Sequence, residues 1–226
     1  MNSAIPDYVS ILFTLTTLFG VWFFKRVFKP SQLAVTILFI WLSLQAYLAY
    51  SGFYLNNNFL PPNFMLAFFP TLILMAFVFI LPKGRAYVDG LNLEDLHWIH
   101  IVRIPVEIIL YLLFVSNTLP ELMTFGGRNL DILAGLTVPL IIFYGLRKPI
   151  LSRNRILLWN VIGLFLLVNI IVMAILSIES PFQQIHQSIA TTGILIFPYI
   201  WLPSFLAPLV LFSHLISIRR LLKTKA

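Results

Sequence analysis

The residues best suited to chemistry in this chain form one polar row within an otherwise apolar sequence. The stretch from 97 to 111 reads H-W-I-H-I-V-R-I-P-V-E-I-I-L-Y. Its polar members recur at spacings of three and four: His97, His100, Arg103, Glu107 and Tyr111. At about 100° per residue, this spacing places them on one face of a helix. The row is therefore a candidate site for binding a polar group or moving a proton, because ionisable residues inside a membrane are functional by default.

Arg103 and Glu107 are four residues apart, which predicts an ion pair along one helix. Glu107 lies about ten residues into a predicted span, ~15 Å from its end and near the bilayer midplane. Pro105 lacks an N–H, so a kink and a free acceptor at Ile101 are expected. Two interpretations are open. The pair neutralises itself and joins helices, or Arg103 contacts an anionic group while Glu107 accepts or releases a proton.

A second group of candidates lies toward the cytoplasmic ends of three predicted helices: His97, His100, Asn160 and His214. Imidazoles with a carboxylate are a plausible zinc or iron shell, and one His from each of two helices could bracket a haem iron. The chain has no H-E-x-x-H motif. Interfacial histidines that contact lipid heads or backbone carbonyls, and a proton relay, are the alternatives. No cofactor is predicted, and a metal or haem remains an alternative at this cluster.

A third candidate region is the connection at 120–131, P-E-L-M-T-F-G-G-R-N-L-D. Gly126 and Gly127 favour a tight turn. The polar residues of this outer loop are Glu121, Arg128, Asn129 and Asp131. Asn129 or Asp131 is expected to cap the next helix, and Arg128 to form a salt bridge with Glu121 or Asp131. The alternative is a gate that faces a substrate.

The elements that position these residues are membrane helices. The chain has 226 residues, of which 60% are hydrophobic and 10% charged, whereas a soluble domain carries ~25% charged residues. Apolar runs of about 20 residues predict helices rather than barrel strands. One all-α transmembrane domain, a seven-helix bundle over residues 1–226, is expected. The predicted spans are 8–24, 33–55, 64–81, 98–119, 132–146, 156–178 and 193–218. There is no cysteine, which excludes disulfides and thiolate chemistry.

The basic residues set the orientation of this bundle. Of the 15 Lys and Arg residues, 13 fall on alternate connections: 25–29, 83–85, 147–155 and the tail from 219. The positive-inside rule then predicts an outer N-terminus and a cytoplasmic C-terminus. The formal net charge of +7 is thus a topology signal and predicts contact with lipid heads, not with nucleic acid.

The seventh predicted span contains Pro198, Pro203 and Pro208, so a bent or locally unwound helix is expected. Discontinuous helices line substrate sites in transporters, although prolines are also common in membrane helices. Residues 193–218 contain no lysine, which excludes a retinal Schiff base.

Three stretches carry a resemblance to a known group: P-E-L-M-T-F-G-G-R-N-L-D-I-L-A-G-L-T at 120–137, L-W-N-V-I-G-L at 158–164 and F-P-Y-I-W-L-P-S-F-L-A-P-L-V-L-F-S-H-L at 197–215. Together they resemble bacterial multi-pass membrane proteins that have no assigned activity, over roughly the second half of the chain. The resemblance implies a bacterial cytoplasmic (inner) membrane and assigns no site residues.

Three functions are compatible with these observations. The favoured hypothesis is a carrier or binding protein for a small polar or amphiphilic ligand, with its site at Arg103 and Glu107. The second is a membrane-embedded enzyme that uses His97, His100 and His214, with Glu107 as general base. The third is a non-catalytic subunit of a membrane assembly.

Overall fold

The computed structural model describes residues 5–148 and 150–223, and these residues form helices and connections without a β-strand. The α-helices are α1 (Asp7–Phe28), α2 (Gln32–Tyr50), α3 (Met65–Ile80), α4 (Pro82–Asp89), α5 (Leu93–Trp98), α6 (Arg103–Val115), α7 (Ile132–Ile141), α8 (Arg153–Ser177) and α9 (Ala207–Lys223). Short 3-10 turns occupy Phe53–Leu55, Ile99–Val102, Glu121–Met123 and Gly193–Leu195, and π-helical turns occupy Ile142–Arg147 and Leu202–Leu206.

Within residues 5–148 and 150–223, five helical segments are long and apolar enough to cross a membrane: Asp7–Phe28, Gln32–Tyr50, Leu93–Val115, Arg153–Ser177 and Leu202–Lys223. Helices α3 and α4 would form a sixth span, but they are bent by 90° where they join. A shorter apolar helix runs from Ile132 to Arg147. The described residues are therefore all-helical, with five segments suited to crossing a membrane, and the predicted helical class is confirmed.

Local sequence explains where several helices begin and end. Ser31 accepts a hydrogen bond from the Ala34 amide at 3.3 Å at the start of α2. The Asn92 side chain caps α5 by accepting from two backbone amides, as N-cap residues do. Lys29, with φ 42°, adopts the left-handed conformation that ends α1.

The fourth span differs from its predicted limits of 98–119. It begins at Leu93, because the Asn92 cap starts the helix earlier, and ends at Val115. Two residues further on, Asn117 has φ 55°, a left-handed conformation that asparagine tolerates and that cannot continue a helix. The break expected near Pro105 is a 3-10 turn, Ile99–Val102, immediately before α6.

The helix in the last predicted span, 193–218, starts later than predicted. Residues 193–201 form a 3-10 turn and further turns, and the continuous helix runs from Leu202 to Lys223. Pro198 has no N–H to donate, which disfavours a regular helix in this segment. The expected local unwinding is confirmed by the π-helical turn Leu202–Leu206. Two tryptophans fix this turn against α2: Trp41 Nε1 donates to Ser204 O at 3.0 Å, and Trp201 Nε1 donates to Leu42 O at 2.9 Å.

The core is centred on α5 and α6, which contact α1, α7 and α9. Ile99, Val102, Ile109 and Leu113 are all nearly inaccessible to solvent. Helix α8 lies along α9. The polar row therefore lies on one of the two most buried of the five long apolar segments, Leu93–Val115; the other is Leu202–Lys223.

Candidate functional site

The inner face of the segment Leu93–Val115 (α5, the 3-10 turn Ile99–Val102 and α6) carries four of the five residues in the predicted polar row. Each is at most 2% exposed: His97, His100, Arg103 and Glu107. Tyr111 is 38% exposed, and its ring stacks on Phe125 at 5.0 Å. Each step of four residues advances the side chain by ~40° around the helix, which carries Tyr111 past the edge of the inner face. Tyr111 therefore lies outside the site.

Asn160 of α8 joins two of the histidines in a hydrogen-bonded chain. Its Nδ2 lies 3.0 Å from His97 Nε2 and donates to Ile156 O at 2.9 Å, and its Oδ1 lies 3.1 Å from His214 Nδ1. His97 Nδ1 lies 2.7 Å from Leu93 O. Since the Leu93 and Ile156 carbonyls only accept hydrogen bonds, the roles are fixed. His97 is protonated on Nδ1 and accepts on Nε2, while His214 donates from Nδ1.

His100 packs beside this chain without joining it. Its ring centroid lies 3.9 Å from that of His214 at an interplanar angle of 30°, and Trp159 meets it edge-on at 5.4 Å. Neither His100 nitrogen has a hydrogen-bond partner among the residues that the structure describes. The structure thus brings His97, His100 and His214 together, buried between helices.

The histidines do not form a converging set of metal ligands. In the part of the chain that the structure describes, no group of three or more His, Cys, Asp or Glu side chains is arranged to hold a metal ion. Both ring nitrogens of His97 are engaged, by Leu93 O and Asn160, and His214 Nδ1 is engaged by Asn160, whereas His214 Nε2 has no hydrogen-bond partner among the described residues. The stacked rings of His100 and His214 also leave no gap for a haem between them.

Arg103 is held by partners on two other helices. Its Nη2 lies 3.1 Å from Asp131 Oδ1 and donates to Gly163 O at 3.0 Å. The predicted pair with Glu107 is therefore replaced by a pair with Asp131. The cause is the close approach of α7, where a Cβ on Gly135 would lie 3.3 Å from Arg103 Cβ. Arg103 Nε and Nη1 have no hydrogen-bond partner within the described ranges.

Glu107 is held from the outer connection. Asn129 Nδ2 donates to Glu107 Oε1 at 2.6 Å and to Met123 O at 3.1 Å. Asn129 Oδ1 accepts from the Asp131 amide at 3.1 Å. Glu107 Oε2 has no hydrogen-bond partner among residues 5–148 and 150–223. The structure thus brings the outer loop and the polar row, treated as separate regions in the sequence, into one cluster.

The other expectations for the outer loop are corrected. Asp131 occupies the N-cap position of α7, but its side chain makes no capping bond because it faces Arg103. Glu121 and Arg128 are exposed, and the predicted salt bridge of Arg128 is absent from the ion pairs of the described residues. The tight turn is present: a Cβ on Gly127 would lie 2.3 Å from Glu121 O.

Two contributors to the site were not predicted. Gly163 offers its carbonyl to Arg103, and a Cβ there would lie 2.7 Å from His214 Cε1. Trp159 stacks on His97 at 5.5 Å and donates to Thr137 Oγ1 at 2.8 Å. A backbone acceptor has no sequence signature, although a glycine amid large apolar residues of α8 is a signal of close packing.

A cavity of about 110 Å³, partly open to the surface, lies beside the charged cluster. Arg103, Glu107 and Asp131 contribute to its wall. The rest of the wall is apolar and comes from α3, α6, α8, the 3-10 turns and the segment after Leu202, for example Phe68, Leu110, Ile171, Ala174 and Leu206. Buried ionisable groups are thus adjacent to a space that could hold an apolar molecule.

Comparison with known proteins gives a family and no activity. No curated protein and no solved structure matches the chain. Residues 61–222 match a family described as a domain of unknown function, DUF8737. The match covers most of the chain and extends further toward the N-terminus than the predicted resemblance. It includes every residue of the charged cluster and of the histidine chain, and the protein belongs to the DUF8737 family.

Proposed function

We propose that this protein binds or carries a small amphiphilic ligand within a bacterial cytoplasmic membrane. The observation that carries the proposal is the cavity wall, which is apolar except for Arg103, Glu107 and Asp131. A hydrocarbon part of the ligand would contact the apolar wall. Its polar part would approach the charged cluster, where Arg103 and Glu107 have buried atoms without hydrogen-bond partners in the described part of the chain.

Seven crossings, with the N-terminus outside and the C-terminus in the cytoplasm, are part of this proposal. The five long apolar segments, the bent pair α3–α4 and the helix from Ile132 to Arg147 together supply seven candidates. The distribution of basic residues supports the orientation. The resemblance of the second half to bacterial multi-pass proteins supports the bacterial inner membrane.

The cavity wall reaches the surface that would face lipid. Phe69 of α3 lines the cavity and is 45% exposed. An amphiphile dissolved in the bilayer could therefore reach the cavity sideways from the lipid, without first crossing an aqueous phase.

A binding experiment tests this function. Purified protein in lipid nanodiscs is equilibrated with dodecyltrimethylammonium, dodecyl sulfate or dodecylphosphocholine, and empty nanodiscs measure partition into lipid alone. We expect saturable binding of at least one probe above the empty-disc value. Ala174→Phe should weaken that binding, because Ala174 lines the cavity and the added ring would fill it.

Val172→Phe is the matched control, since Val172 lies on the exposed side of the same helix at 45% exposure. It should leave binding unchanged. Equal uptake of all three probes by loaded and empty discs would overturn the proposed function. Uptake of the bound probe into proteoliposomes then distinguishes a carrier from a binding protein.

A further inference from the structure

The charges around the cavity do not balance. One cation, Arg103, faces two carboxyl groups, Asp131 and Glu107, so full ionisation leaves one negative charge. The histidines do not supply the missing positive charge. His97 accepts on Nε2, and a second proton there would point at the Asn160 amide. His100 and His214 stack on each other and lie beside Arg103 in the interior, where imidazolium would be poorly solvated.

Asp131 forms the direct ion pair with Arg103, with Oδ1 3.1 Å from Nη2. Glu107 receives only the neutral Asn129 amide on Oε1, and its Oε2 has no hydrogen-bond partner in the described part of the chain. An ionised carboxylate in an apolar interior without a compensating cation is strongly disfavoured. Glu107 must therefore hold either a proton or a bound cation.

The surroundings of Glu107 determine which cations fit. Arg103 on its own helix and Asp131 at the start of α7 are the charged groups that face it, and Asn129 is the polar one. Only apolar side chains reach the cavity from the other elements around it, which are α3, α8, α9 and the π-helical turn before α9. A small hydrated ion would have to lose its water against an apolar wall. A cation whose charge is carried on hydrocarbon or aromatic groups would instead bury that surface.

We propose that Glu107 exchanges a proton for a lipophilic cation, such as a quaternary ammonium or phosphonium that bears hydrocarbon or aromatic groups. The inference rests on the proposed binding function and names its ligand class. In the empty protein Glu107 is a neutral carboxylic acid. When the cation enters, the O–H bond breaks, the proton passes to water, and the carboxylate remains paired with the bound cation. One proton is released for each cation bound.

This assignment differs from the expectation that Arg103 binds an anionic group. An anion in the cavity would meet an arginine that Asp131 already neutralises, and it would lie beside both carboxyl groups. The added negative charge would increase the imbalance that a cation removes.

The test uses tetraphenylphosphonium as the probe, with the full-length protein in nanodiscs. Its dissociation constant is measured between pH 6 and pH 8, and proton release is followed with a dye in weakly buffered solution. Release of one proton per cation requires the dissociation constant to fall about tenfold for each unit rise in pH while Glu107 is protonated in the free protein. The proton signal should saturate together with cation binding.

Glu107→Gln should weaken tetraphenylphosphonium binding by about tenfold or more, the scale of one lost charge interaction, and should abolish proton release. Glu107→Asp retains the carboxyl group and should restore pH-dependent binding in part. Glu121→Gln removes an exposed carboxylate outside the cavity and should behave as the wild type. If Glu107→Gln does not fold, proton release by the wild-type protein alone decides the question.

The outcomes separate this inference from the function on which it rests. Cation binding that is independent of pH and releases no proton overturns proton exchange while a binding protein remains. Tighter binding of dodecyl sulfate than of tetraphenylphosphonium overturns the cation assignment in the same way. If the protein binds none of tetraphenylphosphonium, dodecyl sulfate and dodecylphosphocholine, both proposals are overturned.

Discussion

The guanidinium of Arg103 on α6 pairs with the carboxylate of Asp131 at the start of α7, with Nη2 3.1 Å from Oδ1. Both side chains are almost fully enclosed, at 3% and 7% exposure. The pair therefore connects the centre of the bundle to the outer connection. Because a buried charge that loses its partner is poorly tolerated, the pair should dominate the stability of this region.

Asp131→Asn should lower the free energy of unfolding by at most ~3–5 kcal/mol, the usual effect of breaking a buried ion pair, since Glu107 can still lose its proton and balance Arg103. Chemical denaturation in detergent micelles measures this change. Replacing both partners, as Arg103→Met with Asp131→Leu, should recover most of the loss, since apolar residues of similar volume need no compensating charge.

Glu121→Gln provides the control, because Glu121 is exposed in the same outer connection. Its effect should stay within about 0.5 kcal/mol, as for an ordinary surface substitution. An Asp131→Asn protein as stable as this control would show that the ion pair contributes nothing.

The sequence predicted the inward polar row but not its pairing. Periodicity places His97, His100, Arg103 and Glu107 on one face, and burial confirms it. Which carboxylate meets Arg103 depends on how closely α7 approaches, and Gly135 sets that distance. The periodicity of one helix shows which face is buried, but it does not show which side chain of a neighbouring helix that face will meet.

Gly163→Ala should disturb the centre of the site. A Cβ at this position would lie 2.7 Å from His214 Cε1 and 2.9 Å from His214 Nε2, so the imidazole has to move within a packed interior. Overpacking of this kind costs ~1–3 kcal/mol. We expect that loss in the free energy of unfolding, together with weaker binding of whichever probe the wild-type cavity accepts.

Gly90→Ala is the matched control for Gly163→Ala, because the atom nearest to a Cβ at position 90 would be 3.4 Å away. It should be close to neutral. The double variant Gly163→Ala with His214→Ala removes the imidazole that the new methyl group would meet. Its free energy of unfolding should therefore be close to that of His214→Ala alone. A Gly163→Ala protein with wild-type stability would mean that His214 is not packed against α8.

The histidine tautomers follow from two backbone carbonyls. Leu93 O accepts from His97, and Ile156 O orients the Asn160 amide. Nitrogen-15 NMR of histidine-labelled protein at neutral pH should therefore show His97 neutral with its proton on Nδ1, and His214 with a proton on Nδ1. A doubly protonated His97 would contradict this assignment, because Asn160 Nδ2 has no lone pair to accept the second proton.

Asn160→Ala is the perturbation for the same measurement. It leaves His97 Nε2 and His214 Nδ1 without the partner that now joins them, and each unsatisfied buried group costs ~1–3 kcal/mol. The NMR signals of His214 should change, whereas His97 should keep its proton on Nδ1, hydrogen-bonded to Leu93 O. The sequence predicted that His97, Asn160 and His214 lie at a similar depth along their helices. It did not predict that Asn160 bridges the two histidines, because that contact depends on how α8 is rotated about its axis.

The helix from Ile132 to Arg147 is shorter than the five long apolar segments. Its 16 residues would span ~24 Å as an α-helix, less than the ~30 Å of a hydrocarbon core. The basic residues that follow can extend their charged ends to the headgroups, and Lys148 already lies over the ring of Phe143 with Nζ 4.8 Å from the centroid. We therefore expect this helix to cross the bilayer with some local thinning.

Because the chain has no cysteine, single substitutions can report the side of each connection without further changes. A membrane-impermeant maleimide should label Asn58→Cys and Glu121→Cys in right-side-out vesicles, and Asn154→Cys only in inside-out vesicles. All three positions are exposed, so accessibility within the protein does not bias the comparison. Labelling of Asn154→Cys and Glu121→Cys from the same side would place the segment from Ile132 to Arg147 on one face of the membrane.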